Sequence, residues 1–164
     1  MKTLLILRHA KSKSAGNLDH DRPLAKRGMR DALRIGKILD ERDLNPHLVV
    51  SSDAERARQT ACLAAKAFCY DAEDIEFTEA LYATSTGEHL DLVRSLPDEH
   101  DIVMLVGHNP TFEDLVETLT EDLVLLPTAT LAHIELDVDS WADVDEFTGE
   151  LVEVYHPSGE TGPL

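Results

Sequence analysis

The sequence LLILRHA at residues 4–10 joins an apolar run directly to an arginine, Arg8, and a histidine, His9. A short apolar run that is rich in β-formers predicts a strand, here over residues 2–7, that is buried on both faces. This strand therefore ends in two polar side chains that are capable of chemistry.

Two later stretches repeat the arrangement. The sequence LVVSSDAER at 48–56 leads from a buried strand to Arg56, and IVMLVGHNP at 102–110 leads from the clearest strand of the chain to His108. In a parallel sheet, the carboxyl ends of such strands lie along one edge, where their loops line a shared crevice. We therefore expect two histidines and two arginines to converge at that edge.

Convergent arginines and histidines favour chemistry on a phosphoryl group. A guanidinium offers several donors that match phosphoryl oxygens, and it keeps its charge when it is partly buried. A neutral histidine nitrogen is nucleophilic near pH 7, and a phosphoryl group transfers readily from it, so His9 is the candidate nucleophile and no metal is required. Arg22, in DRPLAKRG at 21–28, is a further candidate donor to the phosphoryl oxygens.

Each of these residues also has an ordinary structural interpretation. A lone histidine at a strand end is usually a hydrogen-bonded or exposed side chain, and Arg56 alone could pair with Glu55 or Asp53 on a helix surface. The coincidence of clusters at three strand ends supports the phosphoryl site, rather than any single residue. The remaining histidines show no metal-binding spacing such as HExxH and are interpreted as structural or surface groups. They are His20, His47, His89, His100, His133 and His156.

Hydrophobic periodicity predicts alternating strands and helices over the first two thirds of the chain. Strands are expected at 2–7, 48–50, 75–77 and 101–107, and helices at 25–42, directly after Ser52, at 87–96 and from residue 110 onward. Ser52 and Glu55 have the spacing of a capping box that opens the second helix. Two further strands, at 130–136 and 150–155, have no strong helix between them and should pair antiparallel.

This order of elements predicts an α/β fold with a mainly parallel sheet that helices cover on both faces. The chain has 164 residues, which is enough for one domain with a proper core and too few for two ordinary domains. We assign residues 1–156 to that domain. The tail at 157–164 has turn residues and no apolar pattern, so we expect it to be loose.

The charge and the cysteines limit the partners and the compartment. The chain has 32 acidic and 15 basic side chains, a formal net charge of −17, which argues against nucleic acid and anionic membranes as partners. The apolar run at the start is too short for a secretory signal or a membrane span. Cys62 and Cys69 lie in one predicted helix at a separation that excludes a disulfide. Unpaired thiols and the lack of an export signal favour the cytoplasm.

Four motifs resemble the histidine phosphatase, or phosphoglycerate mutase-like, superfamily. LRHAKS at 7–12 resembles its RHG-type signature, with alanine in place of the usual glycine at position 10. Together with DRPLAKRG at 21–28, SSDAERARQTA at 51–61 and VGHNP at 106–110, this variant is similar to the short bacterial phosphohistidine phosphatases, the SixA-like branch. The motifs span most of residues 1–120 in the order of that branch.

The resemblance implies a three-layer αβα sandwich with a mixed sheet and no cofactor or metal. It implies that His9 is the phosphorylated nucleophile and that Arg8, Arg56 and His108 form the phosphate pocket, which Arg22 joins in this branch. Larger members of the superfamily have an acidic proton donor after the second helix, and Glu79 in TEALY is the best candidate here.

Three functions remain open on the sequence alone. The first is a phosphatase that acts on phosphohistidine in proteins, where the imidazole leaving group reduces the need for acid catalysis by Glu79. The second is a phosphatase of small phosphorylated metabolites or of other phosphoproteins, because the pocket recognises the phosphoryl group and loops recognise the rest of the substrate. The third is a non-catalytic phosphate-binding module, which the intact set of His9, Arg8, Arg56 and His108 argues against.

Overall fold

Within residues 1–14 and 18–162, which the computed structural model describes, six strands form one sheet in the order β3-β2-β4-β1-β5-β6. The strands are β1 Lys2–Arg8, β2 Leu48–Ser52, β3 Glu76–Thr78, β4 Ile102–Gly107, β5 Leu131–Leu136 and β6 Gly149–Tyr155. The first four are parallel to one another, whereas β5 runs antiparallel to β1 and β6 runs antiparallel to β5. The predicted mainly parallel sheet with an antiparallel terminal pair is thus confirmed.

Strand β1 lies inside the sheet, between β4 and β5. Its apolar run from Leu4 to Leu7 is fully buried, as expected of a strand that packs against other elements on both faces. The register pairs Leu7 with Val106 and Arg8 with Gly107, so β1 and β4 end side by side.

Helices cover both faces of the sheet. Within the described residues, the α-helices are α1 Lys26–Glu41, α2 Glu55–Ala67, α3 Thr86–Arg94 and α4 Thr111–Thr120. Ile35 of α1 and Ala61 of α2 pack with Leu5 of β1 on one face, whereas Leu90 of α3 and Leu115 of α4 belong to the hydrophobic cluster on the other face. This arrangement is the three-layer αβα sandwich that the resemblance implied.

The start of α2 differs from the sequence prediction. The residue before the helix is Ala54, which makes no side-chain cap, so the predicted capping box is wrong. Ser52 is instead the last residue of β2, where it is fully buried and its Oγ accepts a hydrogen bond from the Ala54 N–H at 3.2 Å. Strand β2 extends beyond its apolar residues, because the small serine side chains fit the buried end of the strand. Glu55 begins the helix rather than closing a cap.

The cysteines also differ from the prediction. Helix α2 ends at Ala67, and Cys69 lies beyond it in a left-handed conformation with φ of 56°, so Cys62 and Cys69 do not share a helix. Both cysteines are free thiols.

The described part of the predicted tail, residues 157–162, turns back toward β6. Thr161 forms an isolated antiparallel bridge with Tyr155, and the Gly162 N–H donates a hydrogen bond to the Val154 carbonyl at 2.9 Å. Residues 163 and 164 lie outside the described residues, and the looseness of the tail stays a prediction. None of the helices in the described part of the chain is long and apolar enough to span a membrane.

Candidate active site

The carboxyl ends of β1, β4 and β2 bring the predicted residues to one edge of the sheet. These three strands are neighbours in the sheet, so the segments that follow them lie next to each other. The rings of His9 and His108 lie 5.2 Å apart between centroids, and Arg56 Nε lies 3.4 Å from His9 Nε2. The structure therefore brings together the two histidines and Arg56, as the strand-end pattern predicts.

The backbone of His9 is fixed from three directions. Its N–H donates to the Gly107 carbonyl of β4 at 3.0 Å, and its carbonyl accepts from the Ala129 N–H before β5 at 3.1 Å. The N–H of the next residue, Ala10, donates to Thr60 Oγ1 of α2 at 3.0 Å. The imidazole consequently stands on a rigid part of the fold, which suits a group that must be aligned for reaction.

The hydrogen bonds of the His9 ring set its tautomer. Nδ1 lies 2.8 Å from the Ala10 carbonyl oxygen, which can only accept a hydrogen bond, so Nδ1 carries the proton. Nε2 therefore holds a lone pair, toward which the Arg56 Nε–H donates. Burial of the ring, and next the positive charges of Arg56, Arg8 and Arg22, lower the pKa of His9 to about 4. His9 is thus a neutral imidazole whose Nε2 is unprotonated at neutral pH.

Arg56 is held in place by the turn Asp19–Asp21. It is the second residue of α2 and is only 6% exposed. Its Nη1 donates to the Asp19 carbonyl at 2.7 Å and its Nη2 donates to Asp19 Oδ2 at 3.2 Å. All three nitrogens of the guanidinium are therefore directed by named partners, which fixes its plane beside the His9 ring.

His108 lies against the end of β2. Its Nε2 is 2.8 Å from Ser52 Oγ, whereas its buried Nδ1 has no hydrogen-bond partner among the described residues. Because Ser52 Oγ already accepts from Ala54, its proton can be donated to Nε2, which leaves the proton of His108 on Nδ1. Burial lowers the pKa of His108 to about 3, with further contributions from the charges of His9 and Arg56.

Arg8 reaches the loop before β5. Its Nη1 donates to the Leu126 carbonyl at 3.1 Å, and its buried Nε has no partner among the described residues. Arg8 is close enough to His9 for its charge to contribute to the lowered pKa of that ring. A buried, unsatisfied donor of this kind is unusual in a stable fold and suits a site that binds an anion.

Asp19 joins the predicted arginines and was not found from the sequence. Its carboxylate accepts from Arg22 Nη2 at 3.0 Å, from Arg56 Nη2 at 3.2 Å and from the Tyr82 hydroxyl at 2.6 Å. The Tyr82 hydrogen bond, followed by the charge of Arg56, lowers the pKa of Asp19 to about 2. Arg22 also donates to Ser12 Oγ at 3.1 Å, and its described hydrogen bonds reach Arg56 through the shared acceptor Asp19. The three-residue spacing between Asp19 and Arg22 is the sequence pattern that could have predicted their ion pair.

Tyr82 and His20 form one wall of the site, and the sequence did not indicate Tyr82. The Tyr82 ring lies 5.4 Å from the His108 ring and 4.9 Å from the His20 ring, between centroids. His20 Nε2 lies 3.0 Å from Asp53 Oδ1, and this hydrogen bond raises the pKa of His20. These contacts tie the turn at Asp19–Asp21 to the loop between β2 and α2.

Glu79 is not part of this network. It begins a short turn after β3, is exposed, and makes no side-chain hydrogen bond or ion pair with any described residue. It lines an open pocket of about 560 Å³ that Tyr82 also lines, so only this shared pocket connects it with the His9 region.

Within residues 1–14 and 18–162, no group of three His, Cys, Asp or Glu side chains could hold a metal ion.

The chain is similar to a known family profile and to several known proteins. The profile of the histidine phosphatase superfamily (branch 1) matches residues 4–114. An uncharacterized protein of Mycobacterium tuberculosis is 33% identical over 163 residues, which cover 92% of this chain and 99% of that protein.

Two solved structures share the whole fold. One is from Nakamurella multipartitia, with 30% identity, a TM-score of 0.83, and coverage of 95% of this chain and 96% of that chain. The other is from Agrobacterium tumefaciens, with 29% identity, a TM-score of 0.80, and coverage of 95% and 98%. Their names provisionally assign both to the SixA phosphohistidine phosphatases.

Proposed function

This chain belongs to the histidine phosphatase superfamily, in its SixA-like branch, and we propose from this that it hydrolyses phosphohistidine in proteins through a phosphoryl group carried on His9. The observation that carries the proposal is the hydrogen-bond geometry of the His9 ring, whose Nδ1 lies against the Ala10 carbonyl oxygen and whose Nε2 faces Arg56 Nε. An uncharged, oriented nitrogen beside a fixed cation is what attack on an anionic phosphoryl group requires.

The reaction has two transfers. His9 Nε2 attacks phosphorus in line with the leaving nitrogen, so that a new N–P bond forms while the P–N bond of the substrate breaks and the released imidazole takes a proton from water. The hydroxide that this proton transfer leaves then attacks the phosphorus on His9, the N–P bond breaks, and hydrogen phosphate leaves with the oxygen and remaining proton of that water. The second step restores the neutral imidazole.

The donors around His9 would hold the equatorial oxygens. Arg56 is next to Nε2, and we expect Arg8 Nε and His108 Nδ1, which have no hydrogen-bond partner among the described residues, to donate to phosphoryl oxygens. These groups are in place before substrate binds, so little reorganisation opposes the transition state. Arg22 would contribute its charge, because its own donors are engaged by Asp19 and Ser12.

The carboxyl groups favour phosphohistidine over phosphomonoesters. Asp19 contacts the site, but its pKa of about 2 keeps it ionised and unable to donate a proton at neutral pH. Glu79 is exposed and makes no contact with the His9 network. An alkoxide leaving group needs an acid, whereas imidazole leaves without strong acid catalysis. We therefore give Glu79 no required role with the phosphohistidine substrate.

The test compares substrates and traps the intermediate. We expect kcat/KM for a phosphohistidine protein to exceed that for a panel of phosphomonoesters. A quench in SDS at alkaline pH should retain radiolabelled phosphoryl on the wild-type chain, and His9→Ala should lose both label and turnover. A preference for a small phosphomonoester would support the metabolite alternative, and an active His9→Ala enzyme would end the assignment of the nucleophile.

Two further parts of the proposal concern metal and compartment. No step above uses a metal, so we expect kcat to be unchanged after treatment with EDTA. We propose the cytoplasm as the site of action, because a reducing compartment keeps the free thiols of Cys62 and Cys69.

A further inference from the structure

Positive charge is concentrated in the first quarter of the chain. Residues 1–42 contain 11 of the 15 lysines and arginines and five acidic residues, whereas residues 43–164 contain four basic and 27 acidic residues. No lysine or arginine follows Arg94. Charge asymmetry of this degree indicates that one surface differs from the rest in what it attracts.

The basic residues of α1 form one exposed surface. We call this surface the basic face; its members are Lys26, Arg27, Arg30, Arg34 and Lys37, all of them exposed. Four of them line an open groove of about 610 Å³ along the helix. Among the described residues, Arg27 pairs with Asp31 at 3.6 Å, and the other four members form no ion pair. Their charge is therefore available to a partner.

The basic face begins next to the candidate active site. The Ala25 N–H donates to the Lys11 carbonyl at 2.9 Å, and Ser12 bridges to Leu24. The first turn of α1 thus packs on the segment that directly follows His9. Lys11 and Lys13 of that segment are exposed as well, so positive charge continues from the strand end to the helix.

We propose that the basic face is the docking surface for an acidic protein that presents its phosphohistidine to His9. This inference rests on the proposed function and adds the charge of the partner. The acidic remainder of the chain would repel such a partner, so an acidic protein would approach with its charge toward α1. Electrostatic steering of this kind raises association rates and fixes orientation more than it raises affinity.

A compact acidic protein fits better than a nucleic acid. A nucleic acid carries its negative charge along its whole length and would meet the acidic surfaces around α1, whereas a protein can present one local acidic patch. A partner protein would also contact the basic face during the reaction, because its phosphoryl group must reach the edge of the sheet beside α1.

The test uses two synthetic peptides with the same phosphohistidine core, one flanked by Asp and Glu and the other by Lys, each phosphorylated with phosphoramidate. At low ionic strength we expect the wild-type kcat/KM to favour the acidic peptide. Arg30→Gln/Arg34→Gln should lower kcat/KM for the acidic peptide by roughly a factor of ten, mainly through KM, and leave the basic peptide little changed. The preference should disappear for every variant near 0.5 M NaCl.

The matched control is Lys66→Glu, which changes the net charge by the same two units at an exposed position on α2. It should retain the wild-type preference, as should Arg30→Lys/Arg34→Lys, which keeps the charge. Equal loss of the preference in Lys66→Glu would show a global charge effect and overturn the proposal. Tight binding of a short DNA duplex to the basic face, or self-association that Arg30→Gln/Arg34→Gln abolishes, would overturn it also.

The same experiment distinguishes failure of the docking proposal from failure of the proposed function. If the wild-type enzyme hydrolyses both peptides at equal kcat/KM, the docking surface is wrong and the proposed function stands. If it hydrolyses neither, the proposed function is wrong. Binding of the fluorescent, unphosphorylated acidic peptide, measured by fluorescence anisotropy, then tests the docking surface separately. Weaker binding to Arg30→Gln/Arg34→Gln than to Lys66→Glu would support docking, and equal binding would exclude it.

Discussion

Asp19 places a carboxylate against the donors that the proposed mechanism assigns to the phosphoryl group. It accepts hydrogen bonds from both Arg22 and Arg56. A phosphoryl dianion that approaches Arg56 must therefore overcome the negative charge of Asp19 and compete for the Nη2 donor. Asp19 is about half exposed, so water screens part of this repulsion.

We expect Asp19→Asn to strengthen inhibition by tungstate or orthophosphate. Removing one partly exposed charge near the anion should lower the inhibition constant by roughly five- to tenfold, equivalent to about 1 kcal/mol. Asp21→Asn is the matched control, because Asp21 lies in the same turn and pairs with His20 rather than with an arginine among the described residues. Weaker inhibition of Asp19→Asn would show instead that Asp19 orients the arginines for the anion.

The pH dependence follows from the two buried imidazoles. Burial lowers the pKa of His9 to about 4 and that of His108 to about 3, so both stay neutral well below pH 6.5. We expect kcat/KM to keep its value from pH 7 to pH 5 and to fall only near pH 4, where Nε2 of His9 takes up a proton. Titration of the His9 ring by NMR checks the assignment, and an acid limb near pH 6.5 would contradict it.

The same shifts affect stability with a defined sign. A histidine of the unfolded chain takes up its proton near pH 6.5, before the folded one does, so the unfolded state binds more protons between pH 6.5 and pH 4. The contribution of these two histidines to the free energy of unfolding is therefore fully present above pH 6.5 and is lost as the pH falls toward 4. His9→Gln should show a weaker decrease over this window in denaturant titrations.

At the level of the elements, the sequence predicts the parts of the site that regular structure carries. Arg8 ends β1, and His9 and His108 directly follow β1 and β4. Arg56 is the second residue of the helix after β2, so the ends of three neighbouring strands bring the four residues together. Asp19 and Tyr82 could not be found in this way. Both lie in irregular turns, whose positions depend on contacts between distant segments and leave no periodic pattern.

The ends of elements were less predictable than the elements themselves. The start of α2 was assigned to Ser52 because serine commonly caps helices, but burial at the end of β2 decided its place. The order of the sheet was likewise outside the reach of the sequence. That β1 separates β4 from β5 depends on which strands pair, and hydrophobic periodicity carries no information on pairing.

Helix α1 depends on a glycine for its close approach to the segment after His9. A Cβ at Gly28 would collide with the carbonyl oxygen of Lys11, which is backbone and cannot rotate away. We expect Gly28→Ala to lower the free energy of unfolding by roughly 1–3 kcal/mol. It should also reduce kcat, because displacement of Lys11 moves the segment that holds His9.

Gly87→Ala is the matched control for this prediction. Gly87 also lies in the first turn of a helix, α3, but a Cβ there would approach only Ser85 Oγ, at 3.8 Å. This variant should be neutral or more stable by up to about 1 kcal/mol, since alanine favours the helix. Equal destabilisation of both variants in urea titrations would show that contact with Lys11 is not the cause.

For the whole molecule, repulsion among acidic side chains should outweigh the ion pairs that oppose it. The described ion pairs include Lys2 with Asp101 and Arg94 with Asp145, but residues 95–164 supply no lysine or arginine to pair with their own carboxylates. A net charge of −17 on a chain of 164 residues therefore disfavours the folded state, in which these charges are closest together.

We accordingly expect salt to stabilise this protein. Raising NaCl from 0.01 to 0.5 M shortens the screening length from about 30 Å to below 8 Å, which weakens the many long-range repulsions. Short ion pairs such as that of Lys2, whose ammonium is buried, are weakened much less. The free energy of unfolding should rise by about 1 kcal/mol or more in urea titrations at constant pH. Glu146→Lys/Glu150→Lys, which makes the net charge four units less negative, should show a smaller rise. A fall with salt would mean that attractive pairs dominate the electrostatic energy of the fold.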